Sequence, residues 1–122
     1  MITKAWTDGV SQVFRAPAPV VPGPPIVLEP VASIDLNDHG GLATAADVSA
    51  DGTLVAVRTY LELLMFPRPA GTPLESAFEA EPCIAPTELE AQGEAVAFLG
   101  STGYVTVSEA VRSPLHPFAV PD

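Results

Sequence analysis

The chain has 122 residues, and 15 acidic against 5 basic side chains give it a formal net charge of −10. This length suits one domain with a modest core, and so acidic a chain is a poor ligand for nucleic acid, whose phosphates require a basic face. One cysteine, Cys83, allows neither an internal disulfide nor a cysteine zinc cluster, and its apolar neighbour Ile84 predicts a small buried side chain.

The first third of the chain reads as short strands around a proline-rich loop. Thr7-Asp8-Gly9 is a turn signal, which predicts two strands within residues 2–16. Residues 17–30 hold six prolines, and this segment is expected to be an extended surface loop because proline donates no backbone hydrogen bond. Residues 31–36 are the next predicted strand.

The middle of the chain predicts a strand hairpin and its continuation. Residues 43–50 are small and apolar, Asp51-Gly52 is a strong hairpin dipeptide, and residues 53–60 alternate in polarity. Residues 61–66 form a further apolar strand before a proline, and residues 71–92 are acidic and rich in loops.

The last part of the chain repeats this hairpin pattern. Residues 94–99 and 104–109 are predicted strands around the turn at residues 100–103, and residues 114–120 are a last extended piece. A shift of fifty residues aligns the two hairpins. The aligned pairs are Val48 with Phe98, Leu54 with Tyr104, Val55 with Val105, Val57 with Val107, Met65 with Leu115 and Pro67 with Pro117.

A repeat of ~40–50 residues with about four short strands is typical of propeller blades. We therefore predict an all-β chain of antiparallel four-stranded blades, in a single domain over residues 1–122. Residues 1–36 form a partial first blade, residues 43–84 a complete blade and residues 92–120 a partial last blade. The alternative is a small antiparallel β-sandwich or barrel built from the same strands.

The hairpin sequence also carries a resemblance. Residues 47–60, with the turn Ser49-Ala50-Asp51-Gly52, resemble the inner hairpin of bacterial propellers of the WD-like, lactonase-like and esterase-like phytase groups. Residues 92–98, Gln-Gly-Glu-Ala-Val-Ala-Phe, together with Val107-Ser108-Glu109, are similar to strands of the esterase-like phytase propellers. The resemblance implies a propeller architecture and an acidic central channel that can hold calcium, here with Glu94 and Glu109.

The predicted blades number fewer than three, whereas a closed propeller needs ~4–8. An open stack would expose strand edges and apolar faces. We therefore expect the ring to be completed by further copies of the chain or by a complementary propeller fragment. No membrane partner is expected, since no apolar run reaches ~18 residues. Met1 to Asp8 has no apolar core of a signal peptide, so the default expectation is a cytoplasmic protein.

Two groups of residues are candidate sites. Asp35, Asp38 and Asp47 could form a calcium site, although the loop that begins at Asp35 has Ala46 where an EF-hand has its bidentate glutamate. The second group consists of polar residues at the ends of the second strands of the repeat, including a degraded copy of the repeat at the start of the chain, and of one residue on an inner strand. We predict that these residues converge at one mouth of a central channel. Its members are Lys4, Arg58, Thr59, Glu94, Ser108 and Glu109.

These patterns predict a non-catalytic binding or assembly module of unknown ligand. The alternative is a hydrolase-type propeller related to the esterase-like phytases, in which Glu94, Glu109 and Arg58 line the site and act as acid, base or anion ligand.

Overall fold

The computed structural model describes residues 1–120 and confirms that the chain is all-β in this part. Its strands form three antiparallel sheets. Sheet 1 contains β1 (Val10–Arg15) and β2 (Glu29–Asp35). Sheet 2 contains β3 (Ala43–Val48), β4 (Leu54–Thr59), β5 (Leu63–Pro67) and β6 (Cys83–Ala85). Sheet 3 contains β7 (Gly93–Leu99), β8 (Gly103–Ser108) and β9 (His116–Ala119). Two short 3-10 helices, Asn37–His39 and Leu74–Glu79, lie in the connections.

Sheet 1 is extended by the first residues of the chain. Ile2 forms an isolated antiparallel bridge with Val13, and the Thr3 amide donates to the Gln12 carbonyl at 2.9 Å. The two strands predicted within residues 2–16 are therefore one full strand and one bridge. Residues 16–28, between β1 and β2, form neither helix nor strand, because their prolines cannot donate to a ladder. The last two residues of the predicted loop, Glu29 and Pro30, instead begin β2.

Sheet 2 is a meander in which each strand pairs with the next one along the chain. Its first hairpin turns at Gly52, whose φ of 71° is a conformation that favours glycine. The Asp51 carboxylate accepts hydrogen bonds from the Ser49 hydroxyl at 2.8 Å and from the Thr53 amide at 3.1 Å. These bonds stabilise the carboxylate, so they lower the pKa of Asp51.

Sheet 2 lies between the other two sheets. Successive side chains of β4 point to opposite faces of sheet 2, so this strand contributes to a core cluster on each face. On one face, Val55 and Val57 belong to a core cluster with Ile34 and other residues of sheet 1. On the other face, Ala56 belongs to a cluster with Val96 and other residues of sheet 3. Each fully buried valine or leucine contributes roughly 1.5–3 kcal/mol of transfer free energy. The two clusters therefore hold sheets 1 and 3 against sheet 2, and the three sheets form a stack.

The two hairpins repeat each other, but not with one constant offset. β3 and β7 are fifty residues apart, and both hairpins have a register shift at the same place, after Ala43 and after Gly93. Val48 pairs with Val55, whereas Phe98 pairs with Tyr104. Tyr104 is therefore equivalent to Val55 and not to Leu54, because the second turn is one residue shorter.

The third strands also depart from the ungapped alignment. Val55 pairs with Phe66, and its equivalent Tyr104 pairs with Phe118. Phe118 is thus the equivalent of Phe66, and Pro117 is the equivalent of Met65 rather than of Pro67. The longer connection between β8 and β9 causes this change of offset.

The prediction of a buried Cys83 is wrong. β6 is an edge strand of sheet 2, and both Cys83 and its neighbour Ile84 are exposed. The acidic segment before β6 is fixed instead by Phe78, whose ring packs edge-on against Phe66 with centroids 5.2 Å apart.

Candidate functional site

Three side chains from different parts of the chain meet in one hydrogen-bonded cluster, the Lys4–Tyr60–Glu94 cluster. The Lys4 Nζ donates to the Tyr60 Oη at 2.6 Å, and the Tyr60 hydroxyl donates to the Glu94 Oε1 at 2.7 Å. Lys4 Nζ and Glu94 Oε1 are 3.6 Å apart. The predicted convergence of Lys4 and Glu94 is therefore present, with a tyrosine between them that the sequence patterns did not single out.

The fold positions each member of the cluster from a different sheet. Lys4 follows the Ile2 bridge of sheet 1, Tyr60 directly follows β4, and Glu94 is the second residue of β7. A constant shift of fifty residues aligns Tyr60 with Ala110, so the ungapped repeat indicates no polar pair at this position. With the observed offset of the second strands, Tyr60 is the equivalent of Glu109.

The electrostatics of the cluster keep the lysine charged. The hydrogen bond to Tyr60, followed by the nearby charge of Glu94, raises the pKa of Lys4. The ammonium group also lies 4.6 Å from the centroid of the Tyr60 ring and 5.2 Å from that of Trp6. A lysine held protonated in this way is a hydrogen-bond donor to an anionic group and a poor nucleophile.

The cluster is open to solvent. The Lys4 and Glu94 side chains are 28% and 27% exposed, and the neighbouring Trp6 is 74% exposed. A cation, an anion and an exposed indole therefore share one surface, which can contact a partner through charge-assisted hydrogen bonds and ring stacking.

The predicted site residue Arg58 lies elsewhere. It is 2% exposed, so the structure does not place it at an open mouth. As an even-numbered residue of β4 it faces sheet 3, where its Nη2 donates to the Glu90 Oε2 at 2.8 Å. The Glu90 side chain is equally buried, and its Oε1 accepts from the Thr106 hydroxyl at 3.1 Å.

The buried ion pair is packed against the backbone of β7. A Cβ added at Gly93 would collide with the Arg58 guanidinium, so a larger residue at this position would require the buried guanidinium to move. The Nε and Nη1 atoms of Arg58 are buried without a hydrogen-bond partner in the described part of the chain. Arg58 and Glu90 therefore join the β6–β7 connection to sheet 2.

The remaining predicted channel residues close turns and do not join the cluster. The buried Thr59 hydroxyl accepts from the Leu61 and Glu62 amides at 3.2 and 3.0 Å. The Ser108 hydroxyl accepts from the Gln92 amide at 3.1 Å. Glu109 is exposed, and its amide donates to the Gln92 carbonyl at 2.9 Å.

The predicted calcium site is not assembled. The Asp35 carboxylate accepts from the Asn37 amide at 3.0 Å, which lowers the pKa of Asp35. Asp47 lies on a different sheet and binds a backbone amide of β7, while Asp38 lies in the 3-10 helix after β2. Within residues 1–120, no three His, Cys, Asp or Glu side chains are grouped to hold a metal ion.

β3 and β7 run side by side in the same direction although they belong to different sheets. The Thr44 hydroxyl donates to the Gly93 carbonyl at 2.6 Å, and the Asp47 Oδ2 accepts from the Phe98 amide at 2.7 Å. Sheets 2 and 3 thus place their first strands side by side.

Comparison of the chain with family models, with curated proteins and with solved structures gives no match. In the region that the structure describes, no helix has both the length and the apolar character needed to cross a bilayer.

Proposed function

We propose that the chain is a propeller-type assembly module, whose blade-like sheets join those of a second copy to complete a ring. Stacked antiparallel sheets, the repeated hairpin and the parallel first strands β3 and β7 support this interpretation. Two copies would contribute six sheets, which lies within the ~4–8 blades of closed propellers.

The observation that carries the proposal is the uncovered face of sheet 3. Val96 and Tyr104 are buried against sheet 2, so the alternate residues of the same strands face away from it. That outward face is formed by small and apolar residues, of which Leu99 is 54% exposed. Its members are Ala97, Leu99, Val105, Val107, Pro117 and Ala119.

The repeat indicates what this outward face meets. Val105 and Pro117 are the equivalents of Ala56 and Met65, both of which are buried between sheets 2 and 3. The same positions in sheet 3 are half-buried or exposed. Burying a contiguous apolar face of this kind against another blade is favourable.

Sedimentation analysis of a concentration series tests the proposal. The wild-type chain is expected to exceed the 12.6 kDa of a single chain, whereas Ala97→Lys is expected to stay a folded monomer because it puts a charge on the outward face. Leu89→Lys is the matched control, since Leu89 is fully exposed in the β6–β7 connection. A wild-type chain that is a folded monomer at every concentration would contradict the proposal.

A hydrolase-type function is the second candidate, supported by the 2.7 Å hydrogen bond between Tyr60 and Glu94. In that case Glu94 acts as acid or base beside the Lys4 cation. Hydrolysis of a phenyl ester and of a phenyl phosphate would be lost in Glu94→Gln and retained in Glu109→Gln, because Glu109 is apart from the cluster. Equal activity of both variants, or no turnover by the wild-type chain, rejects this candidate.

A further inference from the structure

A cleft lies between the first residues of the chain and β3. It encloses about 800 Å³ and is lined mainly by apolar side chains. Ile2 and Phe14 border it from sheet 1, Phe78 from the connection after β5, and all six residues of β3 from sheet 2. The volume lies within the ~300–1,000 Å³ range of ligand pockets.

Two strand edges border this cleft. Met1 to Thr3 pair with β1, through the Thr3 amide to Gln12 and the Phe14 amide to the Met1 carbonyl at 2.8 Å. β3 is an edge strand of sheet 2 and pairs only with β4 within that sheet. Unpaired edges carry backbone donors and acceptors that can pair with an added strand.

The molecule itself shows how a strand is held at such an edge. β7 lies along β3 because Thr44 reaches the Gly93 carbonyl and Asp47 reaches the Phe98 amide. Because β3 and β7 are equivalent strands fifty residues apart, the positions on β3 that correspond to Gly93 and Phe98 are Ala43 and Val48. Both residues line the cleft. The Ser49 amide donates to the Leu54 carbonyl at 3.0 Å, so the preceding Val48 amide points away from β4.

We propose that this cleft binds an extended peptide strand of a second polypeptide, parallel to β3, in the way that β3 itself lies along β7. The strand carries a hydroxyl for the Ala43 carbonyl and, three residues later, a carboxylate for the Val48 amide. The residues between the hydroxyl and the carboxylate have small side chains, because the strand has to fit into the space between two sheets. The pattern is Thr-x-x-Asp with small central residues, and residues 44–47 of this chain have it.

This inference shares the blade-repeat interpretation with the proposed function, but it concerns a different part of the molecule. The assembly proposal uses the outward face of sheet 3, whereas the cleft lies between sheets 1 and 2. The two can therefore fail separately, and Ala97→Lys, the variant expected to be monomeric, is expected to bind the strand as the wild-type chain does.

A capped, fluorescent peptide of residues 42–50 is the probe, and its anisotropy is measured against the full chain. We expect saturable binding that weakens about tenfold for the peptide with Asp47→Ala, because one hydrogen bond to a charged group is lost. The peptide with Ala45→Pro is expected not to bind, since proline breaks strand pairing.

The matching chain variant is Val48→Lys, which places a long charged side chain at the cleft, and Leu89→Lys is its exposed control. Circular dichroism verifies that both are folded. Binding lost in Val48→Lys and kept in Leu89→Lys and Ala97→Lys supports the inference. Absence of saturable binding to the wild-type chain, equal binding of the proline peptide, or undiminished binding to folded Val48→Lys overturns it.

Discussion

The Asp47 carboxylate accepts a hydrogen bond of 2.7 Å from the backbone amide of Phe98, fifty-one residues later in the chain. A side chain of one sheet thereby binds the backbone of the next sheet, at an edge that has no strand ladder of its own. With the Thr44 hydroxyl on the Gly93 carbonyl, this contact sets the relative position of sheets 2 and 3 along β3.

Asp47→Ala is expected to lower the free energy of unfolding by about 1–3 kcal/mol, because it leaves the Phe98 amide without its acceptor. Urea denaturation followed by circular dichroism measures the change. Asp47→Asn is the control, since its carbonyl oxygen can still accept the bond, and it should lose less than Asp47→Ala. Equal stability of Asp47→Ala and the wild-type chain would show that the contact does not hold the sheets together.

Glu90→Leu is expected to be more damaging, because it leaves the buried Arg58 guanidinium without its counter-charge. Both side chains are 3% exposed, and breaking such a pair costs about 3–5 kcal/mol. The double variant Arg58→Met with Glu90→Leu removes both charges and should recover most of the loss. A double-mutant cycle measures the coupling, and additive losses would indicate that the two groups act independently.

Gly93→Ala tests the packing of the Arg58 guanidinium on β7. The added methyl group would occupy the space of the guanidinium, so we expect a loss of about 1–3 kcal/mol in the free energy of unfolding. Gly23→Ala is the matched control, because no atom lies within 4 Å of the Cβ it would introduce. Thermal melts that rank the two variants equally would exclude this close contact.

Tyr60→Phe is expected to lower the pKa of Lys4, because the hydrogen bond with Tyr60 is the main cause of its raised pKa. Lys4 is the only lysine of the chain, so its Nζ titration can be followed as a single NMR signal. Trp6→Phe keeps the hydrogen bond and should leave the pKa close to that of the wild-type chain. An unchanged titration in Tyr60→Phe would mean that the cluster does not persist in solution.

The strands of the two hairpins were predictable because each has a local signal, whereas β6 lies in the segment predicted to be rich in loops. The alternation of residues 53–60 and the turn at Asp51-Gly52 indicated β4 and its hairpin, which the structure confirms. Lys4 and Glu94 lie close together as predicted, but Glu94 is on the first strand of its sheet and not at an equivalent strand end, so the repeat does not explain this proximity.

The errors concern features that depend on turn length and on tertiary contact. The turn of the second hairpin is one residue shorter, which changes the offset of the second strands. Tyr60 was therefore not predicted, and Arg58 was assigned to a channel mouth. Glu90 lies in the segment predicted only as acidic and rich in loops, and the structure shows its side chain buried beside Arg58. Cys83 looked apolar by its neighbours, yet an edge strand leaves it exposed.

Among the described residues, sheet 3 has no side chain that could repeat the hydrogen bond from the Phe98 amide to Asp47 on its own outward side. The residue equivalent to Asp47 on β7 is Ala97, and the equivalent of Thr44 is Glu94, whose carboxylate is bonded to Tyr60. The interface between sheets 2 and 3 and the outward face of sheet 3 therefore differ in the polar contacts they can make. Thr44 and Asp47 fix the position of β7 along β3, whereas the outward face of sheet 3, as far as the structure describes it, has no equivalent pair of side chains and could position a neighbouring sheet by shape alone.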